Sequence, residues 1–375
     1  MLVVNKKRDS NLELFRIIVM MLIVSHHYVV NSGLISEVLP NEPISVKSIF
    51  YYLFGAWGKT GINCFVLITG YFMCTSTISL RKYTKLIFEV LFYNLICSII
   101  FALVYPNDFS ALKFLYSICP IQGVRDGFTS CFIIFYLFIP FLNILIKNID
   151  KLTHLKLIGL CLLVYTIIGT TPLPMSMNYI TWFCVLYVIA SYMRFYSPSP
   201  YLLLGHVSKR YSIIISDVGC WGIATAISVL LSILSIVFCL YAGEYMNEFL
   251  PFYFVSDCNK ILALATGVTS FMFFKNLKIG YNKFINTIGA STFGVLLIHA
   301  NSNAMRQWLW RDTFNNIHWF DSNLYWLHAL LSVLIIFSVC VCIDVFRIKV
   351  IETPMFRYLD KRIQNGKYSQ LWFNN

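Results

Sequence analysis

Charged residues are scarce in this chain. Only 12% of its 375 residues are Asp, Glu, Lys or Arg, whereas 58% are hydrophobic and 17% are aromatic. Soluble globular domains carry about 25% charged residues. Together with a mean hydropathy of +0.70, this composition excludes a soluble domain of the same size. The long apolar runs between the charges predict a polytopic membrane protein.

Metal-ligand and disulfide patterns are also missing. The twelve cysteines lie mostly inside apolar segments, without a CxxC pair or a Cys/His ligand spacing, which predicts buried thiols and no metal site. The formal charge of +12 is scattered between apolar runs and is not gathered on a soluble module, which argues against a nucleic-acid partner. No small-residue cleavage site follows the first apolar run, so we expect that run to remain as the first span.

The apolar runs predict an all-α bundle of about ten transmembrane helices. With the N-terminus in the cytoplasm, about 21 lysines and arginines fall on the inside and about seven on the outside, as the positive-inside rule requires. An even number of spans then places both termini in the cytoplasm and the protein in the cell membrane. The predicted spans lie at 13–30, 49–73, 86–105, 128–147, 155–171, 179–195, 213–241, 258–275, 287–305 and 325–347. The second contains Gly55, Gly58, Lys59 and Gly61 and is expected to be broken or tilted. Lys59 and Arg306 are among the cations counted on the outside.

No linker or low-complexity tract divides the sequence. We therefore expect one integral membrane domain over residues 1–375, with its helical core at about 8–350 and a basic cytoplasmic tail at 351–375. The loops between the predicted spans are too short to hold an active site alone. Any chemistry must therefore use residues of the helix bundle.

Two ionisable residues of the first predicted span share one face of the helix. Arg16 and His27, with His26, are the only ionisable side chains in the apolar part of this span. Eleven residues are about three helical turns, so Arg16 and His27 lie on one stripe, about 16 Å apart. A charge in hydrocarbon costs about 3 kcal/mol and persists mainly where it faces a cavity or a partner. The alternatives are that Arg16 snorkels to the headgroups beside Glu13 and that His27 bonds a loop carbonyl.

Five segments of the sequence follow one another in the order of a known family. Arg16 and His27 have the spacing of an arginine, ten residues and a histidine, which His26 does not have. The other four segments are Phe65–Tyr71, Tyr136–Asn143, Ser291–His299 and Ile343–Arg347. In these segments the chain resembles the acyltransferase 3 family of integral membrane acyltransferases, and the resemblance covers nearly the whole chain.

The resemblance implies transfer of an acyl group, most often acetyl, from a cytoplasmic coenzyme A thioester to a hydroxyl of a glycan or other extracytoplasmic molecule. Removal of the hydroxyl proton needs a base, and an imidazole, with a pKa of about 6.5, suits neutral pH. His27 is therefore the expected base, with Arg16 as the second catalytic residue. We expect acetyl-coenzyme A as the donor substrate, no tightly bound cofactor, and a cell-surface polysaccharide or its lipid-linked precursor as the acceptor.

The resemblance also indicates residues for the two substrates. The donor phosphates need basic groups on the cytoplasmic side. In the loop between the second and third predicted spans, the family's Arg-x-x-Arg is replaced here by Lys82-x-x-Lys85, with Arg81 beside it. The expected donor-binding residues are Arg81, Lys82 and Lys85, and the expected substrate-binding residues are Thr69, Tyr71 and His299.

Three alternatives stay open on the sequence. His299 either lines the acceptor cavity or makes only an interhelical hydrogen bond. The lack of a Gly-x-Ser-x-Gly elbow favours direct transfer over an acyl-enzyme without deciding between them. The alternative function is a secondary transporter or glycan flippase without acyl-transfer chemistry, which predicts symmetric halves with discontinuous helices in matching places.

Overall fold

The computed structural model describes residues 8–106, 110–125, 127–173, 177–198, 216–246, 249–364 and 372. Within these ranges the secondary structure is helical and contains no strand, which confirms the predicted all-α class. The α-helices are α1 (Ser10–Val30), α2 (Val46–Gly55), α3 (Gly58–Met73), α4 (Leu80–Val104), α5 (Ala111–Ile118), α6 (Phe128–Lys147), α7 (Lys151–Cys161), α8 (Tyr179–Tyr196), α9 (Asp217–Met246), α10 (Ile261–Asn276), α11 (Lys283–Ala290), α12 (Thr292–His299), α13 (Asn303–Gln307), α14 (Tyr325–Arg347) and α15 (Thr353–Ile363).

Six helices in the described ranges are long and apolar enough to cross a membrane. They include α1, α4, α6 and α9, together with α7 and its π-helical extension Leu162–Ile168 and the continuous helix Tyr325–Ile363. The chain is therefore a multi-pass membrane protein. The count of ten spans and the side of each terminus stay predictions, and residues 213–215 of the seventh predicted span lie outside the described residues.

The other predicted spans fall on shorter or interrupted helices. The second is divided into α2 and α3 at Ala56 and Trp57, and the ninth into α11 and α12 at Ser291. The sixth and eighth correspond to α8 and α10. The transporter alternative predicts interruptions at matching positions of two five-span halves, where the second span would correspond to the seventh and the ninth to the fourth. The second and ninth spans do not match in this way, so their interruptions do not support that alternative.

Helix α1 occupies the centre of the bundle. It packs against α2, α3, α10, α11, α12 and α14, and its Met20, Val24 and Tyr28 side chains are fully buried. By contrast, α4 and α9 carry many exposed leucines and isoleucines, such as Ile100 and Leu234. Such an apolar outer surface suits lipid contact, because a helix leaves no backbone group unpaired in hydrocarbon.

Glycines allow the second span to lie directly against α1. A Cβ atom added at each would collide with α1: Gly55 with Val29, Gly58 with the ring of His26, and Gly61 with Ile23. Small residues at such an interface let two helix backbones approach closely. The C-terminal half of α1, which contains His26 and His27, is therefore held against the point where α2 ends and α3 begins.

Gly70 provides a test of the same close packing between α3 and α8. A Cβ at this position would lie 2.8 Å from the Cβ of Ala190 and 3.1 Å from the Cα of Tyr187, and neither atom can move without its helix. We expect Gly70→Ala to lower the free energy of unfolding by about 1–3 kcal/mol, because overpacking forces the helices apart. The measurement is the melting temperature of the purified protein in detergent.

The matched control is Gly159→Ala in α7, where an added Cβ meets nothing within 4 Å. Alanine is about 0.5–1 kcal/mol better than glycine inside a helix, so this variant should melt at the wild-type temperature or slightly above it. Equal melting temperatures for the two variants would contradict the close approach of α3 and α8.

The predicted basic tail begins inside a helix. α15 starts at Thr353, and the carboxylate of Asp360 accepts two hydrogen bonds from Arg81 on α4, at 2.8 and 2.9 Å. The tail residues 365–371 and 373–375 lie outside the described residues.

Candidate active site

The predicted base His27 is bonded to a second histidine. Its Nδ1 lies 2.9 Å from Nε2 of His299, which is the last residue of α12. Nδ1 of His299 lies 2.6 Å from the carbonyl oxygen of Val295 on its own helix. The structure thus brings together two residues 272 positions apart in the chain.

The hydrogen bonds fix which nitrogen carries each proton. A carbonyl oxygen only accepts, so Nδ1 of His299 carries a hydrogen and donates it to Val295. In a neutral imidazole the other nitrogen is an acceptor, so Nε2 of His299 receives the hydrogen bond from Nδ1 of His27. The lone pair of His27 is then on Nε2. If Nε2 takes up a proton, the bond from Nδ1 to His299 is retained.

His27 borders a cavity of about 550 Å³. We call this space the histidine cavity; its polar lining consists chiefly of His26, His27, Lys59, Asn94, Thr129, Ser130, Asn301 and Arg306, and its aromatic lining of Phe65, Phe128 and Tyr179. The volume is within the usual range of small-molecule sites.

His26 differs from its neighbour in its hydrogen bond. Its Nδ1 lies 2.5 Å from the carbonyl oxygen of Gly55, the last residue of α2, and its ring packs over Gly58. The helix ending at Gly55 leaves that carbonyl without its usual partner four residues on. His26 therefore caps the interruption between α2 and α3.

The other polar groups of the histidine cavity were only partly recognised from the sequence. Lys59 donates to the hydroxyl of Tyr179 at 2.6 Å and lies 3.4 Å from a carboxylate oxygen of Asp257. Asn301 donates to Asn94 at 3.2 Å. The sequence placed Lys59 and Arg306 among the scattered outside cations. The signal that singles out Lys59 is its position between the glycines of a single span.

Arg16 lies at the other half of α1. Its Nη1 is 3.6 Å from Oε1 of Glu13, and Nη1 of Arg8 is 3.2 Å from the same oxygen. Glu13 is only 4% exposed and packs against Gly289 of α11. Within the described part of the chain the Arg16 guanidinium donates no hydrogen bond, which leaves its N–H groups free for a ligand. The catalytic role of Arg16 stays a prediction.

A second cavity, of about 520 Å³, lies at the Arg16 end of the bundle. We call it the basic cavity because its lining contains the cations Arg8, Lys85, Lys283, Arg347 and Lys349. Ser291, just before α12, also lines it, whereas Leu296 and Leu297 line the histidine cavity. The eight steps from Ser291 to His299 span about 12 Å of helix, so the two cavities lie at opposite ends of α12.

The three expected donor-binding cations do not converge on one point. Lys82 donates to Oγ of Ser76 and to the carbonyl of Thr77, both at 2.8 Å, while Arg81 binds Asp360. Lys85 lies 2.6 Å from a carboxylate oxygen of Glu352 and borders the basic cavity. Lys85 is therefore the member of the group that a ligand in this cavity can reach.

The other expected substrate residues lie further along α3. Oγ1 of Thr69 donates to the carbonyl of Phe65, and the buried ring of Tyr71 packs against Phe271 and the guanidinium of Arg194. Neither Thr69 nor Tyr71 lines the histidine cavity. Their substrate-binding role stays a prediction; the contacts give Tyr71 a part in helix packing, whereas Thr69 bonds within its own helix.

A buried ion cluster closes the basic cavity at the end of α14. Arg347 is 2% exposed and donates to three carboxylates, those of Asp344, Glu89 and Glu352, at 2.9, 2.9 and 2.6 Å. The hydroxyl of Tyr93 also donates to Asp344, at 2.7 Å. The cluster thus joins α4, α14 and the turn of π-helix that follows α14.

The chain matches the model of the acyltransferase 3 family, described as an acyltransferase domain, over residues 9–345. This match includes every helix that borders the histidine cavity. No curated protein and no solved structure matches the chain. Among the described residues, no group of three or more His, Cys, Asp or Glu side chains is arranged to hold a metal ion.

Proposed function

The chain belongs to the acyltransferase 3 family, and from that membership we propose that it transfers an acetyl group from acetyl-coenzyme A to a hydroxyl of a cell-surface polysaccharide or its lipid-linked precursor. The family and the multi-pass fold make it a membrane acyltransferase. The observation that carries the finer proposal is the His27–His299 pair, in which His27 lines a cavity of about 550 Å³.

His27 acts as the general base. Its Nε2 takes the proton of the acceptor hydroxyl while the hydroxyl oxygen attacks the thioester carbonyl carbon. The carbon–sulfur bond then breaks, coenzyme A leaves as a thiolate, and the proton on Nε2 of His27 passes to the sulfur. His299 holds the ring of His27 in the required tautomer throughout, because its Nε2 accepts from Nδ1 in both protonation states.

The basic cavity suits the donor's phosphates. Lys283 and Lys349 line it, and neither forms an ion pair in the described part of the chain. Two further polar groups of its wall, Nδ2 of Asn286 and Oγ of Ser291, are buried without a hydrogen-bond partner. Unpaired buried groups are costly, and a bound ligand would satisfy them. The pantetheine arm then runs along α12 towards His27.

This arrangement agrees with the predicted topology. With the N-terminus in the cytoplasm, the basic cavity opens on the side where acetyl-coenzyme A is available. The histidine cavity then lies towards the outside, where a glycan hydroxyl arrives. The two cavities together let one bundle pass an acetyl group from a donor on one side to an acceptor on the other.

Labelled acetyl transfer tests the proposal directly. Purified protein in liposomes, given acetyl-coenzyme A and surface glycan, should increase the glycan mass by one acetyl group, and coenzyme A should be released in equal amount. Cells without the protein should lose the same mass from their surface glycans. An unchanged glycan mass in both experiments would overturn the proposed acceptor and acyl group.

Substitution of Lys283 tests the donor site. We expect Lys283→Gln to raise the KM for acetyl-coenzyme A by about fivefold with kcat unchanged, because a phosphate-binding cation contributes to donor binding alone. Lys278→Gln is the control, since Lys278 is exposed on the preceding loop and does not line the basic cavity. The same KM change in both variants would show a general effect of surface charge and contradict this donor site.

A further inference from the structure

Arg306 is a cation of the histidine cavity that forms no ion pair with any residue that the structure describes. It lies in α13, just beyond His299, and borders the cavity beside Asn301. Its Nη1 and Nη2 donate to neutral oxygens only, Oδ1 of Asn303 at 3.2 Å and the carbonyl of Ala300 at 3.4 Å. Its Nε–H is buried and has no acceptor. Buried N–H groups of charged side chains nearly always have a partner, so an acceptor is missing here.

The described residues that line the histidine cavity carry positive charge: they include Lys59 and Arg306 and no Asp or Glu. The second cation of the lining, Lys59, already has the carboxylate of Asp257 at 3.4 Å and the hydroxyl of Tyr179 at 2.6 Å. Arg306 has neither kind of compensation within the described residues. The uncompensated charge of the cavity is therefore located at Arg306.

We propose that Arg306 binds an anionic group of the acceptor, so that the enzyme acetylates a sugar that carries a carboxylate or a phosphate. A guanidinium suits this task because its planar N–H groups pair with either anion in a bidentate manner. The inference rests on the proposed function, since it assigns the acceptor of that reaction. It makes acceptor charge, and not only hydroxyl position, a determinant of specificity.

The position of Arg306 assigns the anion to the acceptor and not to the donor. The cations proposed for the donor phosphates line the basic cavity together with Ser291, and the chain from Ser291 to His299 spans about 12 Å of helix. Arg306 follows His299 in the chain and lies on the side of the histidine pair away from the basic cavity. A phosphate of coenzyme A at Arg306 would place the donor's head in the acceptor space.

The test compares charged and neutral forms of the same acceptor. Oligosaccharides of an acidic sugar are paired with their carboxyl-reduced forms, and phosphorylated oligosaccharides with their dephosphorylated forms. Wild-type protein should bind the charged member of at least one pair roughly ten- to hundredfold more tightly, and Arg306→Gln should remove this preference. Arg306→Lys should retain part of it. The pair that shows the preference identifies the anion.

Arg311→Gln is the matched control. Arg311 lies five residues further along, pairs with Glu37 and does not line the cavity, so its substitution should leave the charge preference intact. Equal wild-type binding of charged and neutral acceptors would overturn the inference. The inference would also be overturned if Arg306→Gln lowered the transfer rate equally for the charged and the neutral acceptor, because Arg306 would then act in the transfer step and not in acceptor recognition. Binding is measured without donor, so it decides the inference even if acetyl transfer fails.

Discussion

His27→Gln lowers the rate of acetyl transfer by about 10²–10⁴-fold, the usual contribution of a general base. Glutamine places an amide near the position of Nε2, so the basic nitrogen is lost together with the hydrogen bond that Nδ1 donates to His299. Acetyl transfer by the purified protein at saturating donor and acceptor gives kcat, and size-exclusion chromatography checks that the variant is folded.

His26→Gln is the control for this prediction. It places the same substitution on the adjacent residue, which borders the same cavity but bonds the carbonyl of Gly55. We expect its kcat to stay within about tenfold of the wild type. The hydrogen bond that this variant loses caps a helix end, and His26 is not the group that takes the proton of the acceptor hydroxyl. Equal losses in the two variants would show that His27 is not the base. A third variant, His299→Gln, should lower kcat less than His27→Gln and leave the KM values unchanged.

The Arg16 and His27 stripe was predictable because both residues lie on one helix. A fixed rise and turn per residue convert their spacing into a distance and a common face. The family resemblance then separated His27 from His26, and the family match confirms that resemblance. The bond from His27 to His299 was out of reach, because 272 residues separate them and helix periodicity says nothing about which helices touch.

For the basic residues in the first turns of α4, the sequence did not indicate which partners their side chains bind. Arg81, Lys82 and Lys85 form one cluster in the sequence, and the sequence suggests one common ligand. In the fold their side chains point to different partners, and two of these partners, Glu352 and Asp360, lie near the C-terminus. Proximity in sequence predicted a shared site, whereas long side chains on successive turns of a helix reach in different directions.

The overall class was predictable from composition, but the interruptions were predictable only in part. Gly55, Gly58 and Gly61 marked the second span as broken or tilted, and the structure places a break at Ala56 and Trp57. The break at Ser291 also lies between two glycines, Gly289 and Gly294, but the sequence does not show what packs against them. Asp344 packs against Gly294, and Glu13 packs against Gly289, so both sides of this break are held by buried carboxylates.

One of those carboxylates, Asp344, is bound by Arg347, and Arg347→Met is expected to destabilise the protein by about 3–5 kcal/mol. The arginine is 2% exposed and holds Asp344, Glu89 and Glu352 together, while Lys85 is the other cation of the cluster. Without Arg347, three carboxylates share one partly exposed lysine. The desolvation of each carboxylate is then uncompensated, because methionine supplies volume and no charge.

The matched control is Arg311→Met, which removes an arginine from a surface pair. Arg311 is 39% exposed and Glu37 is 49% exposed, and pairs of this kind contribute about 0–1 kcal/mol. The melting temperature in detergent should therefore fall far more for Arg347→Met. Adding Asp344→Asn to Arg347→Met should recover part of the loss, since it removes one of the unpaired charges. Equal melting temperatures of the two single variants would contradict this prediction, and so would a double variant that melts at a lower temperature than Arg347→Met. Either result would show that the cluster stabilises the protein through packing and not through its charges.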